Sequence, residues 1–239
     1  MRVEVFFTPH QVDEMYLREK TVVVIDVLRA STTIATALRN GAKEIIPVAT
    51  VESAMKIVGN LVGDVTLLGG ERNGKMIEGF NLGNSPLEYI EERIRGKSIV
   101  FSTTNGSLAM VKARYAKDML VCGFVNMSAV HEFVGGRDAV ILCSGHAGNF
   151  SMEDAVCAGM LLQRIADQTA KSLDTSDAAA ASMSLFKNHN KSLYKMLRSS
   201  HHGRHLEEIG FGEDLKVCAE VDSVPVLPLL VGNVVKLRS

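Results

Sequence analysis

The four cysteines, Cys122, Cys143, Cys157 and Cys218, form no CxxC pair and follow no zinc-ligand spacing, which argues against a redox motif and a structural zinc site. No basic excess exists either: Lys+Arg 26 against Asp+Glu 27 leaves a net charge of -1. Nucleic acid and anionic membrane surfaces are therefore not expected partners. An anionic ligand would need locally placed arginines and backbone N–H groups. No apolar run reaches the ~18–20 residues needed to cross a bilayer; the final one, Val224–Val231, is short and carries Pro225 and Pro228. Met1-Arg2-Val3-Glu4-Val5 reads as the start of a strand and not as a signal peptide. A cytoplasmic protein with reduced thiols is the expectation. There is no fixed-period repeat and no low-complexity linker.

What is present is apolar material: 46% of 239 residues, enough for a sizeable core. It falls into short Val/Ile-rich runs at Val3–Phe7, Thr21–Val27, Glu44–Val48, Val65–Leu68, Ser98–Ser102, Met119–Cys122, Ala139–Cys143 and Val217–Val221, with a last run from Val224. Several are continuous and not alternating, as in strands buried on both faces. Amphipathic segments lie between them. Ala30, Ile34, Ala37 and Leu38 form one helical face, and Leu108, Val111 and Tyr115 another. Residues 152–168 predict a buried helix, and Asp174–Asn188 a more exposed one. The alternation predicts the α/β class, a mostly parallel or mixed sheet with helices on both faces. The chain reads as one compact unit over 1–239; two intimately packed halves, about 1–125 and 126–239, are the alternative division. A composition shift near residues 170–200 suggests a helical subdomain in the last third.

Four polar clusters each follow an apolar strand, the position where open parallel sheets bind ligands. Val22–Ile25 runs into Asp26-Val27-Leu28-Arg29-Ala30-Ser31-Thr32-Thr33. Here Ser31 or Thr32 suits a helix N-cap, and Arg29 presents a fork matching phosphate or carboxylate oxygens. An ordinary cap with an Asp26–Arg29 surface pair is the equally simple structural alternative. Val65–Leu68 runs into Glu71-Arg72-Asn73-Gly74, and then Asn84-Ser85-Pro86 marks another helix start. Ile99–Phe101 runs into Thr103-Thr104-Asn105-Gly106-Ser107, a capped start for a helix over Ser107–Ala116, where Gly106 permits close backbone approach. Val140–Cys143 runs into Ser144-Gly145 and on to Ser151-Met152-Glu153-Asp154, a capping-box-like arrangement in which Glu153 or Asp154 could also bind Mg²⁺. Near the end, Ser200-His201-His202-Gly203-Arg204-His205 could supply a general acid or be a solvated helix end.

The common phosphoryl-transfer templates fail. There is no GxxxxGK[ST]. Cys143 is not followed by an arginine in C-x5-R spacing, because Asn149 stands there. Asp26 lacks the second aspartate of D-x-D, because Leu28 stands there. Gly203 follows His201-His202 and not Arg-His.

Together the clusters resemble the 2-phosphosulfolactate phosphatase family. The pieces are Ile25–Thr32, Gly70-Glu71-Arg72 with Gly83-Asn84-Ser85-Pro86, Thr103–Gly106, Cys143-Ser144-Gly145 with Ser151–Asp154, and His202-Gly203 with Asp214 and Cys218. They occur in family order across nearly the whole chain. The resemblance implies a fold of the family's own type, Mg²⁺ dependence, and hydrolysis of (R)-2-phospho-3-sulfolactate to 3-sulfolactate and phosphate, a step of coenzyme M synthesis in methanogens. On that basis Asp26, Glu71 and Asp154 are the expected Mg²⁺ ligands, and His202 the proton donor to the leaving alkoxide. Arg29, with N–H groups near Ser31–Thr33 or Thr104–Gly106, is expected to hold the phosphoryl group, and Thr103 is a further substrate-binding candidate. Arg72, Asn84 and Ser85 are expected on the carboxylate or sulfonate, with Ser144 and Gly145 also at the substrate. Attack by water is favoured; an Asp26 phosphoenzyme and a Cys218 thiolate are the alternatives. Another phosphorylated hydroxy acid is an alternative substrate, and a non-hydrolytic binding protein or an isomerase an alternative function. An apolar C-terminal strand over Val224–Val235 is compatible with a homodimer.

Overall fold

A computed structural model describes residues 1–60, 66–168 and 173–238. In chain order its elements begin with β1 (Arg2–Phe6), α1 (Glu14–Leu17), β2 (Thr21–Ile25), α2 (Ala30–Arg39), β3 (Glu44–Pro47), α3 (Val51–Asn60), β4 (Thr66–Arg72) and β5 (Lys75–Met76). Next come α4 (Glu91–Ile94), β6 (Ser98–Ser102), α5 (Gly106–Lys112), β7 (Asp118–Cys122), α6 (Met127–Val134), β8 (Ala139–Cys143) and α7 (Met152–Gln168). The remainder is β9 (Asp174–Thr175), α8 (Asp177–His189), α9 (Leu193–Ser199), α10 (His201–Glu208), α11 (Gly212–Ala219), β10 (Pro228–Val231) and β11 (Val234–Leu237).

One mixed sheet runs β5-β4-β6-β3-β11-β10-β7-β2-β8-β1-β9. Its strands come from both sides of residue 125. Two blocks are parallel: β4-β6-β3, and β7-β2-β8-β1 with the short β9. Between them lies the antiparallel hairpin β10–β11, which meets each block through one residue pair, Val235 with Ile45 and Leu229 with Leu120.

Both faces of the second block are covered, which explains its continuous apolar runs. Val23 and Ile25 of β2, Leu120 and Cys122 of β7, and Ile141 and Cys143 of β8 face a core with α6, α7 and the helices from α8 onward. The alternate residues Val22, Val24, Met119, Val121, Val140 and Leu142 face a second core with α2 and α5. This is the period-two division that a strand imposes. Among the described residues, no helix is long and apolar enough to cross a membrane.

Several boundaries differ from the sequence reading. Val217–Val221 is not a strand. Residues up to Ala219 belong to α11, where Leu215 and Cys218 are buried at helical spacing and Glu213 and Asp214 favour the N-terminal end. The run from Val224 is a hairpin and not one strand. It turns at Gly232-Asn233, where Gly232 has φ 62° and Asn233 does not have positive φ, as a II′-type turn requires. The exposed helix starts at Asp177, capped by Ser176, because Asp174 and Thr175 pair with β1. The helix after β6 is shorter than expected, ending at Lys112. Val65, the predicted start of β4, lies outside the described residues. The expected helical subdomain is a set of four helices, α8 to α11, packed into the first core.

Candidate active site

The loop after β2 folds back on itself. Asp26 N–H donates to Ser31 Oγ (2.9 Å), Ser31 N–H donates to the Asp26 carbonyl (2.8 Å), and Ala30 N–H donates to Asp26 Oδ1 (3.3 Å). Ser31 thus sits inside α2, and the capping position is Arg29. The Leu28–Arg29 peptide is cis. Asp26 is buried at the end of its strand. Burial pushes its carboxyl up to about 6; the Glu71 charge adds to the rise, and the His202 charge and the Ala30 N–H oppose it.

Glu71, in the last turn of chain of β4, ties three segments together. Oε1 accepts from Thr104 N–H (2.7 Å), and Oε2 from Gly74 N–H (2.8 Å) and Thr104 Oγ1 (3.3 Å). The loop after β6 is locked by an exchange in which Thr103 N–H donates to Ser107 Oγ (2.8 Å) and Ser107 N–H donates to Thr103 Oγ1 (3.1 Å). Next to it, a Cβ on Gly106 would fall 2.5 Å from Asp26 Oδ2. Only glycine lets this backbone come so close to the carboxylate. Asn105 Oδ1 accepts from Ala147 N–H (3.1 Å) and joins this loop to the one after β8.

Asp154, at the N-terminal turn of α7, is fully occupied from behind. Oδ1 accepts from Val27 N–H (2.9 Å), and Oδ2 from Ser144 Oγ and Gly145 N–H (both 3.1 Å). Burial, with the charges of Asp26 and Glu153, pushes its carboxyl well above the usual range. It fixes the loop that carries Asp26 and the loop that carries Ser144.

These loops enclose a cavity of about 330 Å³ between the two parallel blocks, the lower end of the range for small-molecule sites. Asp26 and Glu71 face it from opposite blocks, and His202, His146, Thr104 and Asn84 complete the lining that matters chemically. Asn84 is placed by its carbonyl, which accepts from Thr33 Oγ1 (2.8 Å). Its side-chain Oδ1 is buried with no hydrogen-bond partner, a cost of roughly 1–3 kcal/mol that a ligand would remove. Glu153, beside Asp154 on α7, has Oε1 3.4 Å from His202 Nδ1. The His146 ring stacks on His202 at 4.1 Å and 30°; burial, then the His202 charge, lowers the His146 imidazole to about 4.

The sequence model of the 2-phosphosulpholactate phosphatase family matches residues 6–233. This chain belongs to that family. A protein of Caldanaerobacter subterraneus subsp. tengcongensis described as a probable 2-phosphosulfolactate phosphatase is 41% identical over 238 residues, covering 99% of this chain and 98% of the relative. Proteins of the same description are 36% identical over 230 residues in Clostridium acetobutylicum (95% and 97% covered) and 40% identical over 220 residues in Thermotoga maritima (92% of each). The family match encloses every loop that builds the cavity.

Within this 2-phosphosulpholactate phosphatase family member, all the expected site residues but Arg72 and Ser85 fall into two groups. Asp26, Arg29, Glu71, Asn84, Thr104, Asn105 and His202 line the cavity. Behind its wall lie Ser31, Thr32, Thr103, Gly106, Ser144, Gly145 and Asp154, which shape the lining loops through the bonds above; Thr32 Oγ1 donates to the Val27 carbonyl (3.2 Å). Arg72 turns away: its guanidinium donates to the Glu71 carbonyl (2.7 Å) and to Ser102 Oγ (2.9 Å). Ser85 Oγ donates to Asp214 Oδ1 (2.6 Å). Arg29 touches the cavity, but two of its donors are taken by Asp214 Oδ2 (2.7 Å) and the Gly74 carbonyl (2.6 Å). Cys218 is buried outside the lining, and burial pushes its thiol up to about 12, which leaves it no thiolate for nucleophilic attack. The sequence reading gives no site role to the lining residue His146, whose signal is its place after β8 between Gly145 and Gly148, and it takes His202 alone from a segment whose His201 and His205 also line the cavity.

Proposed function

We propose that this chain is a cytoplasmic phosphoric monoester hydrolase that converts 2-phospho-3-sulfolactate to 3-sulfolactate and phosphate with Mg²⁺, in the manner of a coenzyme M biosynthetic step. One observation carries the reading: Asp26 and Glu71, from opposite blocks of the sheet, face one small cavity that also holds His202.

Two carboxylates repel a phosphorylated dianion unless a cation lies between them. Among the described residues, no three His, Cys, Asp or Glu side chains form a ready cage for an ion. Mg²⁺ needs none, because it is usually held by one or two carboxylates, water and phosphate oxygens. Asp26 and Glu71 fit that donor set, and the unpartnered Asn84 Oδ1 is a neutral third oxygen. Asp154 fits less well, since it does not line the cavity and its oxygens face Val27, Ser144 and Gly145 behind the wall. When bound, the ion supplies charge neutralisation and Lewis acidity at the phosphoryl oxygens.

The chain's own residues do the rest. Asn105 offers a side-chain donor to the phosphoryl group, because its amide nitrogen remains free for a ligand when its oxygen is held by Ala147. Arg29 contributes positive charge at the wall. The oxygen of water forms the new bond to phosphorus as the ester P–O bond breaks. His202 gives a proton to the departing C2 alkoxide and is reprotonated by the proton that water loses. Positioning and electrostatics dominate such a transfer.

The test is release of inorganic phosphate by the purified chain with Mg²⁺, from phosphosulfolactate and a panel of phosphorylated hydroxy acids. Preference for phosphosulfolactate is expected. Preference for another phospho-acid would reassign the substrate, and tight binding without release from any would replace the hydrolase with a binding protein. Sedimentation of the same sample tests whether the chain forms the homodimer with which its C-terminal strand is compatible.

A further inference from the structure

We propose that Glu153 is a positioning residue that orients His202 from behind, so that Nδ1 faces the carboxylate and Nε2 is left for the leaving oxygen of the substrate. The inference rests on the phosphatase reading of the cavity and adds to it the part that aims the proton donor.

Glu153 occupies the second position of α7, and His202 the second position of α10. The two helices start at neighbouring points. Ser200 Oγ accepts from Gly203 N–H (3.0 Å) and fixes the first turn of α10. Gly203 itself packs so closely that a Cβ there would lie 1.8 Å from the Leu197 carbonyl oxygen, so the place of His202 is set by backbone packing. Glu153 is 2% exposed, and its Oε1 lies 3.4 Å from His202 Nδ1, too far off line for a hydrogen bond. That oxygen has no other hydrogen-bond partner. A small rotation of the imidazole would complete the bond and satisfy a buried oxygen that is costly to leave bare.

His146 holds the other side. Its ring covers one face of His202 at 4.1 Å. Two stacked imidazoles do not both carry charge easily. Glu153 sits next to His202. The acidity of the groups agrees: burial alone would raise the Glu153 carboxyl, but the His202 contact outweighs it and holds the group below its usual value, while His146 is held neutral. The arrangement matches the general pattern in which a carboxylate selects the tautomer and direction of an acting histidine. It also gives Glu153 a task distinct from metal ligation, because its free oxygen meets the histidine.

Leaving-group dependence separates this role from a structural one. An alkoxide needs a proton as the P–O bond breaks, whereas nitrophenolate leaves without one. His202→Asn should lower kcat on phosphosulfolactate or phospholactate by about 10²–10⁴-fold, the usual worth of a positioned acid. Glu153→Gln should lower it by about 10–100-fold, the range found when the carboxylate partner of a metal-bound histidine is removed. Both losses should shrink at least tenfold on p-nitrophenyl phosphate, and the double variant should be no slower than His202→Asn. Equal losses on both substrates, or wild-type kcat in Glu153→Gln, would overturn the proposal. ¹⁵N NMR of the imidazoles reads the tautomer without turnover. The His202 Nδ1–H signal should be present in the wild type and shifted in Glu153→Gln; an unchanged signal would overturn the proposal. A wild-type protein inert toward every phosphate ester would sink the phosphatase reading instead, with the NMR comparison still deciding whether Glu153 orients His202.

Discussion

Arg29 Nη1 lies 2.7 Å from Asp214 Oδ2, and the two side chains are 1% and 2% exposed. Asp214 also accepts from Ser85, Arg29 donates to the Gly74 carbonyl, and the guanidinium lies over the Phe211 ring at 4.3 Å. The pair therefore joins the loop after β2, the chain between β4 and β6, and α11 behind the cavity. Breaking a buried pair leaves a bare charge, so Arg29→Met or Asp214→Leu should each destabilise the fold by about 3–5 kcal/mol. Arg29→Met with Asp214→Leu should cost less than the two single losses together. Urea unfolding measures all of these; strictly additive losses would show that the pair is not coupled.

Gly106 is a test of how tightly Asp26 is held. In Gly106→Ala the new methyl would meet Asp26 Oδ2 at 2.5 Å and the Ala30 Cβ at 2.8 Å. The carboxylate must move, and displacement of about 1 Å at a reacting centre can cost on the order of 10²-fold in rate. The expected result is that loss of kcat with a wild-type circular dichroism spectrum. Undiminished turnover would remove Asp26 from the chemistry.

Asp26 also predicts a pH dependence of stability. Its carboxyl is raised to about 6 in the folded chain from an ordinary 3.8. A group raised in this way favours folding while protonated, below its unfolded value, and that contribution is lost as pH rises through the folded value. Asp26→Asn lacks the titration. Without metal, the wild type should lose stability relative to the variant between pH 4 and pH 7, by on the order of 2–3 kcal/mol. Urea unfolding at pH 4, 5.5 and 7 checks this, and parallel profiles would contradict it.

Cys218→Ala should keep turnover close to that of the wild type, and iodoacetamide should label Cys218 only after unfolding, because the thiol is buried and held up at about 12. Rapid labelling of the folded chain together with loss of turnover would restore the thiolate alternative.

The strands were most legible where burial on both faces makes an uninterrupted apolar run. Ser98–Ser102 and Ala139–Cys143 have the boundaries that their residues indicate, and so does the helix over 152–168. The segment near Val217 misled because β-branched residues there imitate a strand, while the buried Leu215 and Cys218 follow a helical step. Asp26 and Glu71 were legible from their places at strand ends. The orientation of Arg29 was not, because Asp214 stands 185 positions away and no local pattern reports such a partner. Arg72 was misread for a similar reason: Ser102, on the neighbouring strand, competes for its guanidinium.

The hairpin β10–β11 sits in the middle of the sheet although it is formed by residues 228–237. The two parallel blocks, complete by Cys143 apart from the short β9, share no ladder without it. Its junctions pair Val235 with Ile45 and Leu229 with Leu120, and contacts so distant in sequence close slowly. Glu71 travels with one block and Asp26 with the other. The expected outcome is that activity returns during refolding no sooner than this hairpin docks; activity ahead of docking would show that the core shared by the two blocks is enough to set the carboxylates face to face.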